Sequence, residues 1–147
     1  MNPSQPIEIL MAEDSPSDAA ITQEAIKSSK LINRLHIVDN GEDVLLFLQK
    51  EGKYAGAPTP DLILLDLNMP RMNGYQVLAE IKQHSQWKQI PVVILTTSKS
   101  ELDVATAYKL HANCYVSKPV DFDKFSEVVR SIENFWFSIV QLPPKTS

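Results

Sequence analysis

Five short, mainly aliphatic runs punctuate this chain: Ile7 to Met11, Leu35 to Val38, Leu62 to Leu65, Val92 to Leu95 and Cys114 to Val116. None shows the regular polar alternation of a strand with one face in water, so each reads as a strand covered on both faces. Helical patterns fill the intervals. Ser15-Pro16 offers an N-cap and an N1 proline for a helix to about Lys30, and Asn40-Gly41 opens one carrying Val44, Leu45, Phe47 and Leu48. Gly74 to Gln83 sets Val77, Leu78 and Ile81 at helical spacing, and Glu101 to Leu110 and Phe122 to about Val140 complete the series. Strand and helix in strict alternation predict an α/β fold: a flavodoxin-like, doubly wound, five-stranded parallel sheet of (βα)5 type with an extended C-terminal helix.

A chain of 147 residues suits one domain with a substantial core. The expectation is a single domain over 1–147, with a core of about 6–132 and a helical extension of about 133–142. The stretch Gly52 to Pro60 reads as a loop and not a domain boundary, since too little chain lies on either side for two cores. A formal net charge of -4 gives no electrostatic reason to expect nucleic acid or an anionic membrane as partner. The single cysteine, Cys114, excludes an intramolecular disulfide and a cysteine-based zinc site. No apolar run approaches the roughly 18 residues that span a bilayer, and the start has no leader character. Cytoplasmic location is expected.

The chemistry sits at the strand tips. Glu13 and Asp14 follow the first strand and Asp66 follows the third. In a flavodoxin-like order these are neighbouring strands flanking the switch point where such sheets place their sites. Converging carboxylates repel unless something positive joins them. A divalent cation with hard oxygen ligands, Mg²⁺ above all, and Lys118 after the fifth strand would supply that charge. The plainer reading of Glu13-Asp14 is an acidic helix start with Asp14 or Ser15 as N-cap. Asp66 resists such a reading, because the aliphatic run Leu62 to Leu65 leads straight into it.

Glu13-Asp14, Asp66 with Asn68-Met69-Pro70, Gly74, Leu95-Thr96, and Tyr115 with Lys118-Pro119 occur in this order at successive strand ends. Jointly they resemble the receiver domain of two-component response regulators along the whole chain. The resemblance implies that Asp66 accepts a phosphoryl group from a phosphohistidine on a sensor histidine kinase. Asp14, Asp66 and the main-chain carbonyl of Asn68 would hold Mg²⁺, with Glu13 contributing through water. Lys118 and Thr96 would bind the phosphoryl oxygens, and Tyr115 would change rotamer as Thr96 moves. As a phosphoacceptor, the chain would catalyse only its own phosphorylation and dephosphorylation. Thr97 departs from the family, which usually carries Ala, Ser or Gly there.

The tail around Phe135-Trp136-Phe137 is too apolar to lie wholly in water. Ile132, Phe135, Trp136 and Ile139 make one core stripe, and Phe137 and Val140 point elsewhere. This tail, with the Gly52 to Gly56 insertion, resembles phytochrome-associated single-domain response regulators, which dimerise through the face of the fourth helix, fifth strand and fifth helix. The resemblance makes a phytochrome the candidate kinase, Phe135, Trp136 and Phe137 the candidate contact in a homodimer, and a further protein the output partner. Three other readings compete. A haloacid-dehalogenase-type phosphohydrolase needs a second aspartate two residues after the nucleophile, where this chain has Asn68. A pseudo-receiver scaffold would not need the full acidic set with Lys118, and a flavin-binding protein would need a Ser/Thr/Gly-rich loop after the first strand.

Overall fold

The computed structural model describes residues 6–28, 32–97, 109, 112 and 114–128. Five strands, β1 (Ile7–Ala12), β2 (Asn33–Val38), β3 (Leu62–Asp66), β4 (Val92–Thr96) and β5 (Cys114–Ser117), form one parallel sheet in the order β2-β1-β3-β4-β5. The order reverses between β1 and β3, and that crevice lies beyond the carboxyl ends of both strands. Helices α1 (Pro16–Lys27), α2 (Gly41–Gln49) and α3 (Gly74–Gln83) supply crossovers, a 3₁₀ turn at Gly52–Tyr54 lies in the loop before β3, and residues 122–128 are helical.

The sheet divides two apolar cores, which explains the unalternating runs. Along β1, β3 and β4, residues such as Leu10, Ile63 and Ile94 face Val44 and Phe47 of α2 and Val77, Leu78 and Ile81 of α3. Their neighbours Ile9, Met11, Leu64 and Leu95 face Ala19, Ala25 and Ile26 of α1 and Phe125 and Val128 of the last helical segment. Since a strand alternates faces at every residue, both parities are apolar where both faces are covered.

Three expectations are corrected. β2 is only partly covered: it is an edge strand whose Leu35 and His36 are half-buried against opposite cores and whose Ile37 is 43% exposed. β1, β3, β4 and β5 each run one residue past their apolar run, to Ala12, Asp66, Thr96 and Ser117, because ladder pairing continues into the terminal residues. α1 stops at Lys27 rather than near Lys30, closed by Ser28, whose hydroxyl and main-chain N–H both donate to the Glu24 carbonyl. The expected helix Glu101 to Leu110 lies outside the described residues except for Lys109, which is helical. The extension 133–142, with Phe135, Trp136 and Phe137, lies wholly outside them. Among the described residues no helix is long and apolar enough to cross a membrane.

Candidate functional site

Register brings the polar strand tips into line. Ala12 pairs with Leu65, Asp66 with Leu95 and Thr96 with Ser117, so Glu13, Asp66, Thr96 and Lys118 emerge side by side along one edge. Main-chain bonds extend the alignment past the strands: Glu13 N–H donates to the Val38 carbonyl at 2.9 Å and Lys118 N–H to the Thr96 carbonyl at 2.9 Å.

Two loops carry the chain away from this edge. After β1, Ser15 caps α1 by accepting from Asp18 N–H at 3.3 Å, with Pro16 at N1. Ser15 is thus the cap, and Asp14 is left free for other work. After β3 the chain passes Arg71, a non-glycine residue at φ 68°, where Met72 N–H closes onto the Pro70 carbonyl in a three-residue turn. Asn73 then opens α3 through a reciprocal capping box with Gln76. Gly74 is dictated by close approach: a Cβ there would lie 2.5 Å from the Asp66 carbonyl oxygen. Any larger residue would push α3 off the loop that holds Asp66.

The centre of the site is the Lys118 ammonium. It donates to Glu13 Oε1 at 2.8 Å, Asp18 Oδ2 at 3.0 Å and Asp66 Oδ2 at 3.2 Å. Its side chain is 7% exposed, and those of Glu13 and Asp66 are 0% and 3% exposed. Asp66 Oδ1 accepts from the Asn68 main-chain N–H at 3.2 Å. Burial alone would lower the lysine's pKa, but the bonds to Glu13 and Asp18 and the charges of Asp66 and Glu13 outweigh it and push it well above the usual range. Lys118 is a permanent cation. Glu13 moves the other way from an ordinary carboxyl: burial, then the neighbouring Asp66, push it up to about 7 against the pull of Lys118. One ammonium does not neutralise the carboxylates gathered around it.

Carboxylate oxygens of Glu13, Asp14 and Asp66 lie within 4.8 Å of one another, with Asp14 exposed at the mouth. All are hard oxygen donors in a site with surplus negative charge, which fits a divalent cation that keeps part of its water. Thr96 is fully buried at the tip of β4, Thr97 is exposed, and Tyr115 is half-buried against the core on the α2 and α3 side. The predicted Glu13, Asp14, Asp66 and Lys118 therefore come together. Asn68 contributes its N–H to Asp66 and exposes its side chain. Asp18 was missed, because an acid in the first turn of a helix is accounted for by the helix dipole alone.

Comparison with known proteins agrees with this geometry. Residues 9–130 match the family model of the response regulator receiver domain. The chain is 47% identical over 135 residues to response regulator Rcp1 of Synechocystis sp., covering 92% of each. The crystal structure of the Mn(2+)-bound form of Rcp1 superposes with a TM-score of 0.76 at 46% identity, over 94% of this chain and 99% of that one. The phosphorylated cyanobacterial phytochrome response regulator RcpA superposes at 0.78 with 42% identity, over 95% of this chain and 99% of that one.

With its carboxyl pushed up, Glu13 would make cation binding at this cluster pH-dependent. A cation entering the cluster must displace the Glu13 proton, so affinity is weak below a pH of about 7 and grows as pH rises through it. Calorimetric titration with Mg²⁺ should show affinity about tenfold higher at pH 8 than at pH 6, and a much flatter profile in Glu13→Gln. Equal affinity at both pH values in the unaltered protein would remove Glu13 from the site's proton balance.

Proposed function

The chain belongs to the response regulator receiver domain family, and from that premise we propose that Asp66 is its phosphoryl acceptor, loaded from a phosphohistidine of a sensor histidine kinase. The observation that carries this reading is the convergence of Lys118 on Asp66 at the sheet's switch point, with Glu13 and Asp14 beside them. Similarity to Rcp1 and to the phytochrome response regulator RcpA supports a phytochrome as the kinase, and a single cysteine that forms no intramolecular disulfide fits the reducing cytoplasm.

An Asp66 carboxylate oxygen attacks phosphorus in line. The O–P bond forms as the P–N bond to the donor imidazole breaks, and the imidazole leaves with that electron pair. Held at one oxygen by Asn68 N–H, the Asp66 carboxylate is fixed in rotation before the donor arrives. Lys118 supplies charge to the phosphoryl oxygens as they enter. Mg²⁺, held by Asp14, Asp66 and the Asn68 carbonyl with Glu13 through water, would neutralise further charge on the transferring group. The product is a mixed anhydride that water resets, so the chain is a timed phosphoacceptor and acts catalytically only on itself.

Thr96 and Tyr115 are proposed to report the phosphoryl group. Thr96 lies one strand from Asp66, and its carbonyl already accepts from Lys118 N–H. Movement there would reach Tyr115 on β5, and output would follow through protein partners. A phosphohydrolase of the haloacid-dehalogenase type is not favoured, since Asn68 offers no acid or base where that chemistry needs one.

Incubation with a phosphorylated histidine kinase and Mg²⁺ should add one base-labile phosphoryl group per chain, and Asp66→Asn should abolish it. Label retained in Asp66→Asn would overturn the assignment. We further propose a homodimer through the face of the fourth helix, β5 and the last helix, since the three consecutive aromatics Phe135, Trp136 and Phe137 exceed what one core stripe accommodates. In sedimentation, the phosphorylated protein should dimerise more tightly than the unphosphorylated, by on the order of 1–3 kcal/mol, and Trp136→Ala should weaken both. Monomers at every concentration in both states would contradict it.

A further inference from the structure

Resting on the phosphoacceptor reading, we propose that Asp18 is a positioning residue that holds the Lys118 ammonium in place while Asp66 takes up phosphate. A lysine ammonium has three N–H donors and no acceptor. Here each of the three has a carboxylate partner, Glu13 at 2.8 Å, Asp18 at 3.0 Å and Asp66 at 3.2 Å. A phosphoryl oxygen can gain an N–H only if one of these bonds is given up.

Chemistry decides which. Phosphorylation converts the Asp66 carboxylate into a neutral acyl group and brings charged phosphoryl oxygens beside it, so the Asp66 bond loses its acceptor charge as a better acceptor arrives. That bond is also the longest of the three. The N–H on Asp66 therefore turns to the phosphoryl group, and the bonds to Glu13 and Asp18 persist. Two charge-assisted bonds from different elements, Glu13 after β1 and Asp18 on α1, leave the ammonium little freedom except to aim its third donor. With Asp18 removed, a single bond to Glu13 remains as a pivot.

Asp18 can do this because its own position is set by the helix cap. It is the third residue of α1, its N–H bonds to Ser15 Oγ, and Pro16 fixes the turn before it. A purely local role, complementing the dipole of α1, would give some stability and leave the chemistry untouched. Asp18 is also partly exposed, at 34% for its side chain, and could instead touch the donor protein. The test must separate these roles.

The full-length protein is phosphorylated with acetyl phosphate, a donor too small to dock on α1, at saturating Mg²⁺, and the maximal rate is measured beside the melting temperature. The acetyl C–O–P linkage breaks on the phosphorus side, acetate leaves with the electron pair, and Asp66 oxygen takes the phosphoryl group. Asp18→Asn, which keeps shape and loses charge, should slow the maximal rate by about tenfold with no change in donor KM, and Asp18→Glu should recover most of it. The Lys118 ammonium should give a ¹H–¹⁵N resonance in the unaltered protein that is lost in Asp18→Asn. An unaltered rate in Asp18→Asn, slowing seen only with a histidine kinase as donor, or a loss of melting temperature that Asp18→Glu shares without recovering rate would each overturn the proposal. If the unaltered protein itself takes no phosphate, the phosphoacceptor reading fails first, and the two failures are told apart.

Discussion

The site exists because one ammonium, that of Lys118, is buried among carboxylates. Glu13 and Asp66 are almost wholly removed from water, and an unpaired charge at such a position costs several kcal/mol. Lys118 offsets that cost for both at once and reaches Asp18 as well. Its main-chain N–H is tied to the Thr96 carbonyl, so the residue that balances the charge is anchored to β4 and β5. The compensation is partial, and the Glu13 carboxyl pushed up to about 7 is its sign. A pocket left short of positive charge is suited to a divalent cation.

Everything around the site serves this placement. The parallel register sets Asp66 beside Leu95 and Thr96 beside Ser117, so the polar ends of three strands arrive level. Gly74 lets α3 press against the Asp66 main chain, and the tight turn at Arg71 returns the loop in few residues. A group bonded covalently to Asp66 therefore meets contacts leading to α1 through Asp18, to β4 through Thr96 and to β5 through Lys118. In the proposed function, that convergence would let a small chemical change be read elsewhere in the molecule.

Much of this was legible in the residues because it depends on local pattern. The bounds of α3, Gly74 to Gln83, follow from apolar spacing, and the carboxylates at the ends of β1 and β3 stand out against the aliphatic runs before them. Other features depend on partners far along the chain. Asp18 and Lys118 are 100 residues apart, and nothing near Asp18 marks it as more than a helix-start acid. Which of Glu13 and Asp14 turns inward is decided by the packing beneath β1: Glu13 is buried and Asp14 exposed. The exposure of β2 follows from strand order, which local alternation does not encode. A left-handed arginine at position 71 has no local signal, since a bulky side chain gives no preference for that conformation.

The central claim is that phosphate enters this site on Asp66, and it is tested most directly by locating the modified residue chemically. Reduction of the phosphorylated protein with borohydride converts an aspartyl phosphate to homoserine, which peptide mass spectrometry places in the sequence. The account predicts homoserine at position 66 and at no other aspartate, with none formed when Mg²⁺ is chelated before the donor is added. Homoserine at Asp14 or Asp18, or a phosphoryl group found on a histidine or hydroxyl residue with position 66 unmodified, would contradict it.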